Sequence, residues 1–237
     1  MFKTHNIKRA VKAWMGYGHL PPRVSDKLPG KDILVLAPHP DDEALGCGGS
    51  LLGLSSNQNA CIVFLTDGGM GDPKGKYENI VLLRKKEAKS AWEKHDHCKL
   101  EFLGFPDGKL GENVEKAIED ISKLGKFDLI LTTSPVDRHP DHRASAKIAV
   151  RLSKEWSASI WAYEVWTALP VSRVVDITER INQKISLIRH YKSQLDYQNL
   201  EHNLIGLNAY RSIDGGSNSG YMEGFLELSP EDIETFS

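Results

Sequence analysis

The chain lacks the cysteine pattern of a disulfide scaffold or a thiolate metal site. Its 237 residues include three cysteines, at positions 47, 61 and 98, and no Cys-x-x-Cys pair. An odd number of widely spaced cysteines argues against a disulfide framework and against a structural zinc site built from thiolates. The composition therefore favours a reducing compartment, and we expect a cytoplasmic protein.

Strong net charge and long apolar runs are absent as well. The formal net charge is -2, and no stretch approaches the length of a membrane span. A protein that binds nucleic acid usually carries a basic face, which this balance does not provide. The sequence thus predicts a small-molecule partner, no nucleic acid and no membrane span, and it leaves a homo-oligomer open.

Apolar runs alternate with helical patterns along most of the chain. Continuous apolar runs such as 33–37 and 62–65 are typical of strands covered on both faces by helices. The alternation predicts an α/β fold, a Rossmann-like three-layer sandwich with a mostly parallel central sheet. We expect strands near 32–37, 60–66, 99–104, 127–133 and 160–166, and helices near 43–56, 78–95, 111–125 and 141–155. A short run at 174–177 precedes a further helical pattern at 178–197. We expect residues 1–30 to form an N-terminal extension and residues 31–237 to form a single domain.

Two strands of this prediction end in clusters of imidazoles and carboxylates. His39-Pro40-Asp41-Asp42-Glu43 follows the first apolar run, and His139-Pro140-Asp141-His142 follows the run at 127–133. Ligands of open α/β sheets bind at the carboxyl ends of the strands. His39, Asp42 and a third ligand from the second cluster, His142 or His139, would leave a fourth position to water, as in catalytic zinc sites.

The remaining side chains of the two clusters have other roles to fill. Asp41 is placed to act as general base, and His139, held by Asp141, could stabilise an oxyanion. Glu43 would orient a ligand imidazole. The alternative is a well-capped helix start, since proline and acids favour the first turn. Capping explains the acids but not the histidines.

These motifs resemble the PIG-L or LmbE-like family of metal-dependent N-deacetylases, whose signature is His-Pro-Asp-Asp-Glu followed by His-x-Asp-His. The resemblance extends over about residues 31–226, through weaker motifs such as Arg84-x-x-Glu87 and Gly104-Phe105-Pro106-Asp107-Gly108. It implies zinc, or alternatively Fe²⁺, held by His39, Asp42 and His142. It also implies a base at Asp41, an oxyanion-stabilising histidine at His139 paired with Asp141, and substrate contacts from Arg84 and Asp107.

For Arg84 and Asp107 a structural role is almost as good an interpretation. Arg84 lies beside two lysines and could be a solvated helix charge, and Pro-Asp-Gly is strong turn chemistry by itself. Gly46-Cys47-Gly48-Gly49 resembles a nucleotide-binding glycine run, but it lies inside a helix after three acids that would repel a pyrophosphate. Close packing of the helix on the sheet explains these glycines better.

Together the motifs predict a zinc-dependent hydrolase that removes an acetyl group from the nitrogen of an amino sugar or glycoconjugate. The same groups could serve an amidase acting on a thiol-sugar conjugate or another amide. A non-catalytic sugar- or nucleotide-binding module is the third hypothesis, and it would need no stoichiometric zinc. We expect substrate choice to depend on loops at 67–77, 106–110 and 211–223.

Overall fold

A computed structural model describes residues 22–216 and 220–228 of the chain. This part contains eight strands. They are β1 (Arg23–Ser25), β2 (Asp32–Ala37), β3 (Asn59–Thr66), β4 (Cys98–Phe105), β5 (Leu129–Thr133), β6 (Ser159–Tyr163), β7 (Arg173–Asp176) and β8 (Met222–Leu228).

Helices connect most of these strands. They are α1 (Asp42–Leu51), α2 (Ile80–Trp92), α3 (Val114–Ser122), α4 (Pro140–Trp156), α5 (Ile181–Ile188), α6 (Lys192–Leu195) and α7 (Leu200–Arg211), with 3-10 turns at Leu110–Glu112 and Thr178–Arg180. Across the described ranges, no helix is both long enough and apolar enough to cross a bilayer.

All eight strands form one sheet in the order β1-β7-β8-β6-β5-β2-β3-β4. Strand β8 is antiparallel to both of its neighbours, β6 and β7, and the other neighbouring strands are parallel to each other. The predicted α/β sandwich with a mostly parallel sheet is therefore confirmed, with one antiparallel strand inserted near one edge.

The central strands bury side chains on both faces of the sheet. Along β2, Ile33 and Val35 belong to the core beneath α1, α2, α5 and α7, whereas Leu34 and Leu36 belong to the core beneath α3 and α4. Successive side chains of a strand point to opposite faces, so an apolar run without polar alternation fits two helical layers. This arrangement makes the three layers that the sequence predicts.

The chain reverses its direction across the sheet next to β2. From β2 it continues to β3 and β4 on one side, and it then crosses to β5, which pairs with β2 on the other side. The carboxyl ends of β2 and β5 therefore flank a switch point, where open α/β sheets bind ligands. The first polar cluster begins two residues after the end of β2, and the second begins six residues after the end of β5.

Two local predictions differ from the structure. Residues 23–25, which we assigned to the extension, form strand β1 and pair with β7, while residues 1–21 lie outside the described part. The helix predicted over 178–197 is divided into a 3-10 turn, α5 and α6. It is interrupted at Tyr191, whose ring is buried and whose hydroxyl donates to Glu43. Here a tertiary contact overrides the local helical pattern.

Strand β8 was not predicted, because Glu223 and Gly224 interrupt its apolar pattern. Glu223 is fully buried and forms an ion pair with Lys184 at 2.6 Å. It also accepts hydrogen bonds from the backbone amides of Gly49 and Ser50. A charged residue such as Glu223 is unexpected in a buried strand. Here its charge is neutralised by groups that are distant in sequence.

The glycines of α1 pack against the sheet, as expected. A Cβ atom added at Gly46 would lie 2.1 Å from the ring of Tyr163, and one at Gly49 would lie 2.9 Å from Ile177. Such distances are far below van der Waals contact, so both positions require the absence of a side chain. These glycines serve helix packing.

Candidate active site

The two polar clusters meet at the floor of one cleft of about 560 Å³. Side chains of His39, Asp41, Asp42 and His139 line it, together with Arg84 and Asp107. His142 lies beneath, fully buried, with its ring centroid 5.4 Å from that of His39 and 5.1 Å from that of His139. The structure thus brings together all of the site residues that the sequence predicts.

Asp42 lies between two imidazoles. Its Oδ2 atom is 3.1 Å from Nδ1 of His39 and 3.3 Å from Nε2 of His142. Both ring nitrogens of His142 are buried, and neither makes a well-directed hydrogen bond among the described residues, although Asp42 and Asp137 lie within ion-pair distance of them. A buried polar atom without a partner is costly unless a further group binds it. Two imidazoles and one carboxylate are a donor set that suits a catalytic divalent cation.

The outer nitrogen of each imidazole faces a second carboxylate. Nε2 of His39 is 3.1 Å from Asp107 Oδ1 and 3.3 Å from Asp141 Oδ2, and Nδ1 of His142 is 3.4 Å from Asp137 Oδ2. Metal-binding histidines usually donate their other N–H group to such a partner, which fixes the ring and its tautomer. The residues present therefore fit a metal centre.

Other triplets also bring donor atoms close together. Ring nitrogens of His39, His139 and His142 lie within 4.8 Å of one another, and so do donor atoms of His39, Asp107 and Asp141. His139 differs from the other imidazoles because its Nδ1 atom accepts a hydrogen bond from the backbone amide of Asp141 at 3.3 Å. One ring nitrogen of His139 is therefore already engaged in a hydrogen bond within the protein.

The charged groups of the site shift the pKa values of His142 and Asp42 in opposite directions. Burial alone would lower the pKa of His142, but the charge of Asp42 and the contact with Asp137 raise it to about 9. Burial would raise the pKa of Asp42, but His142 and His39 hold it well below its ordinary value. In the protein without a metal ion, the protonated imidazole of His142 therefore pairs with the carboxylate of Asp42. The imidazolium proton occupies a position that a metal cation could take.

Asp41 and His139 are shifted in ways that suit acid-base chemistry. Burial raises the pKa of Asp41 to about 7, in part against the opposing charge of Arg84. Burial also lowers the pKa of His139, and the neighbouring His39 acts in the same direction. At neutral pH, Asp41 is close to its midpoint and His139 is a neutral imidazole.

Helix capping does not account for the first cluster. Asp41 precedes α1 at the N-cap position, yet its side chain makes no capping hydrogen bond. It instead accepts from Arg84 Nη2 at 3.0 Å. The interpretation of Arg84 as a solvated helix charge is wrong, since the side chain is buried and also donates to the carbonyls of Pro40 and Gly68.

Two carboxylates contact different groups from those expected. The carboxylate of Asp141 was expected to hold His139, but it faces His39 and accepts from the backbone amides of Gly108 and Leu110. Glu43 was expected to orient a ligand imidazole, but it accepts from the Trp92 indole and the Tyr191 hydroxyl. Both differences arise from loops or helices that pack on the clusters from elsewhere in the chain.

Asp137 and a wall of the cleft were missed by sequence reasoning. Asp137 is 2% exposed and contacts His142, and only its position just before the second cluster hinted at this. Residues of the expected loops 67–77 and 106–110 line the cleft, but no described residue of 211–223 does. Gln194, Tyr197, Gln198 and Leu200 also line the cleft, and Gln194 and Tyr197 donate hydrogen bonds to Gly71 and Asp72 of the 67–77 loop.

Comparison with known proteins places this site in a family. The profile of PIG-L, described as GlcNAc-PI de-N-acetylase, matches residues 34–153, which include both clusters. The chain belongs to the PIG-L family. A probable N-acetyl-alpha-D-glucosaminyl L-malate deacetylase 2 from Bacillus subtilis is 30% identical over 185 residues, which cover 69% of this chain and 83% of that protein.

Two further relatives are more distant or only partly matched. Diacetylchitobiose deacetylase from Thermococcus kodakarensis is 31% identical over 128 residues, and the match spans 51% of this chain and 48% of that protein. The chain thus matches about half the length of this family member. The N,N'-diacetylchitobiose deacetylase structure from Pyrococcus horikoshii has a TM-score of 0.71 at 23% identity, covers 85% of each chain, and shows a common fold.

Proposed function

We propose that this protein is a metal-dependent hydrolase that removes an N-acetyl group from an N-acetylglucosamine derivative. The observation that carries the proposal is the convergence of His39 Nδ1 and His142 Nε2 on one oxygen of Asp42, at 3.1 and 3.3 Å, in a buried site where Nε2 of His142 makes no well-directed hydrogen bond. Family membership supports the reaction, because the relatives from Bacillus subtilis and Thermococcus kodakarensis are both named as deacetylases of acetylated amino sugars.

His39, Asp42 and His142 would hold the cation, with Asp141 and Asp137 orienting the two imidazoles. Zn²⁺ suits two nitrogen ligands and one oxygen ligand, and Fe²⁺ is the alternative. When bound, the ion supplies Lewis-acid chemistry, which lowers the pKa of water and polarises an amide carbonyl.

Asp41 is the proposed general base. Its carboxylate lines the cleft beside Asp42, and burial raises its pKa to about 7. A carboxylate with that pKa can take a proton from the attacking water at neutral pH and return it to the leaving amine. Arg84 holds one oxygen of this carboxylate at 3.0 Å, which fixes its direction.

His139 is the proposed stabiliser of the developing oxyanion. Because its Nδ1 atom accepts from the amide of Asp141, the proton of the neutral ring resides on Nε2. A neutral ring with a lowered pKa donates that N–H without carrying a charge of its own. We retain Arg84 and Asp107, which line the cleft, as proposed contacts to substrate hydroxyls.

A cytoplasmic location is also proposed, and it is supported by the free and buried thiols of Cys47, Cys61 and Cys98. Whether the protein forms a homo-oligomer stays open, as it does in the sequence.

The test is a screen for amine release by the zinc-loaded protein. Substrates should include diacetylchitobiose and N-acetylglucosamine linked to malate, inositol, nucleotide and lipid. We expect turnover on at least one, and a loss of about 100-fold or more in Asp41→Asn with zinc binding retained. Near-normal turnover by Asp41→Asn would refute the role of Asp41. Activity confined to thiol-sugar amides would favour the amidase hypothesis.

A further inference from the structure

The proposed base occupies a strained backbone conformation. Asp41 has φ 142° and ψ -29°, and it is one of two non-glycine residues with positive φ among those described. Side chains with a Cβ atom rarely adopt such angles, and they persist only where the surrounding structure enforces them. Strain of this kind is often found at active sites.

The backbone amide of Asp41 is held by a buried carboxylate. It donates to Oε2 of Glu43 at 3.2 Å, and Glu43 is fully buried. The other oxygen of Glu43, Oε1, accepts from Trp92 Nε1 at 2.9 Å and from the hydroxyl of Tyr191. Trp92 ends α2, and Tyr191 lies between α5 and α6, so the carboxylate is fixed from two other parts of the chain.

The strained conformation has a consequence for the carboxylate of Asp41. An aspartate at an N-cap position normally accepts a hydrogen bond from an amide in the first helical turn. Asp41 makes no such bond, and its carboxylate faces Arg84 and the cleft instead. If φ of Asp41 changed to a common, negative value, its carboxylate would be free to accept a capping hydrogen bond from an amide of α1.

We propose that Glu43 is a positioning residue for the base: by binding the amide of Asp41, it holds the strained peptide that directs the Asp41 carboxylate into the cleft. This inference rests on the proposed deacetylase function. It assigns to the last acid of the His-Pro-Asp-Asp-Glu cluster a role that differs from orienting an imidazole. Glu43 itself needs no contact with substrate.

Glu43→Gln tests the role with little change in shape. The side-chain oxygen that faces Trp92 and Tyr191 must remain an acceptor, because the indole N–H of Trp92 can only donate. The NH₂ group of the introduced glutamine would then face the N–H of Asp41, so two donors would oppose each other. We expect φ of residue 41 to change to a negative value in a crystal structure of the variant. We also expect kcat to fall by about 100-fold, the scale of a misplaced catalytic group.

Zinc stoichiometry and KM should stay close to those of the parent, because Asp42 and the cleft wall are unchanged. Tyr163→Phe is the matched control: it also removes a buried hydrogen bond, from the Tyr163 hydroxyl to the carbonyl of Leu36, but that bond does not involve Asp41. It should lose a similar amount of stability and keep its kcat. The control separates positioning from general destabilisation.

The inference and the proposed function fail in different ways. An active parent with an equally active Glu43→Gln variant would overturn the inference and leave the function intact. A loss of kcat with φ of residue 41 unchanged would overturn it as well, since the effect would not act through the peptide. If the parent releases no amine from any substrate, the proposed function fails, and the angle in the Glu43→Gln crystal still decides whether Glu43 holds the peptide.

Discussion

Replacing Asp137 with asparagine should weaken metal binding, although Asp137 is not a proposed ligand. Its Oδ1 atom accepts from the backbone amide of His139 at 2.9 Å, and its Oδ2 atom lies 3.4 Å from Nδ1 of His142. In Asp137→Asn, the side-chain oxygen of the asparagine must face the backbone amide of His139, which needs an acceptor. The side-chain NH₂ group of the asparagine then faces Nδ1 of His142. Nδ1 must then accept a hydrogen bond, and the ring proton moves to Nε2, the nitrogen that the cation needs.

The size of the effect follows from the loss of that tautomer. Removing the partner of a metal-binding histidine typically lowers metal affinity by about 10–100-fold, or about 1.4–2.8 kcal/mol. Calorimetric titration of the metal-free protein with Zn²⁺ would measure the change. Asp128→Asn is the control, because Asp128 likewise accepts from backbone amides, those of Lys31 and Asp32, but lies at the opposite ends of the strands. Equal zinc affinity in Asp137→Asn and the parent would refute the reasoning.

Two further predictions concern packing and pH. Gly46→Ala should lower the free energy of unfolding by about 1–3 kcal/mol or more in urea denaturation, because its Cβ would lie 2.1 Å from the Tyr163 ring. Gly206→Ala, in open space on α7, should instead raise it by about 0.5–1 kcal/mol, and similar effects at both sites would contradict the packing argument. Zinc affinity should rise about tenfold or more per pH unit up to about pH 9, since the pKa of His142 is raised to about 9 and the cation must displace its proton. Titrations at several pH values would measure this dependence, and affinity that is constant with pH would exclude proton displacement.

Much of the fold could be predicted because the central strands carry their own signal. Runs such as 33–37 are apolar on both faces, and the clusters begin where these runs end. The meeting of the two clusters then follows from the general topology of parallel sheets. The family model matches a stretch that includes both clusters, and six of the predicted side chains line one cleft in the structure, those of His39, Asp41, Asp42, Arg84, Asp107 and His139.

What could not be predicted depends on partners distant in sequence. Strand β8 contains Glu223, whose charge is acceptable only because Lys184 lies beside it. Glu43 binds Trp92 and Tyr191, which are 49 and 148 residues away along the chain. Asp141 contacts His39 because the amides of the loop after β4 fix its carboxylate. Local patterns contain no information about such pairings.

The most direct test of the central claim is anomalous diffraction from crystals grown with zinc. We expect one strong peak, bonded to Nδ1 of His39, to a carboxylate oxygen of Asp42 and to Nε2 of His142. A peak bonded to His139 in place of Asp42, or no peak at this floor of the cleft at full zinc loading, would contradict the account.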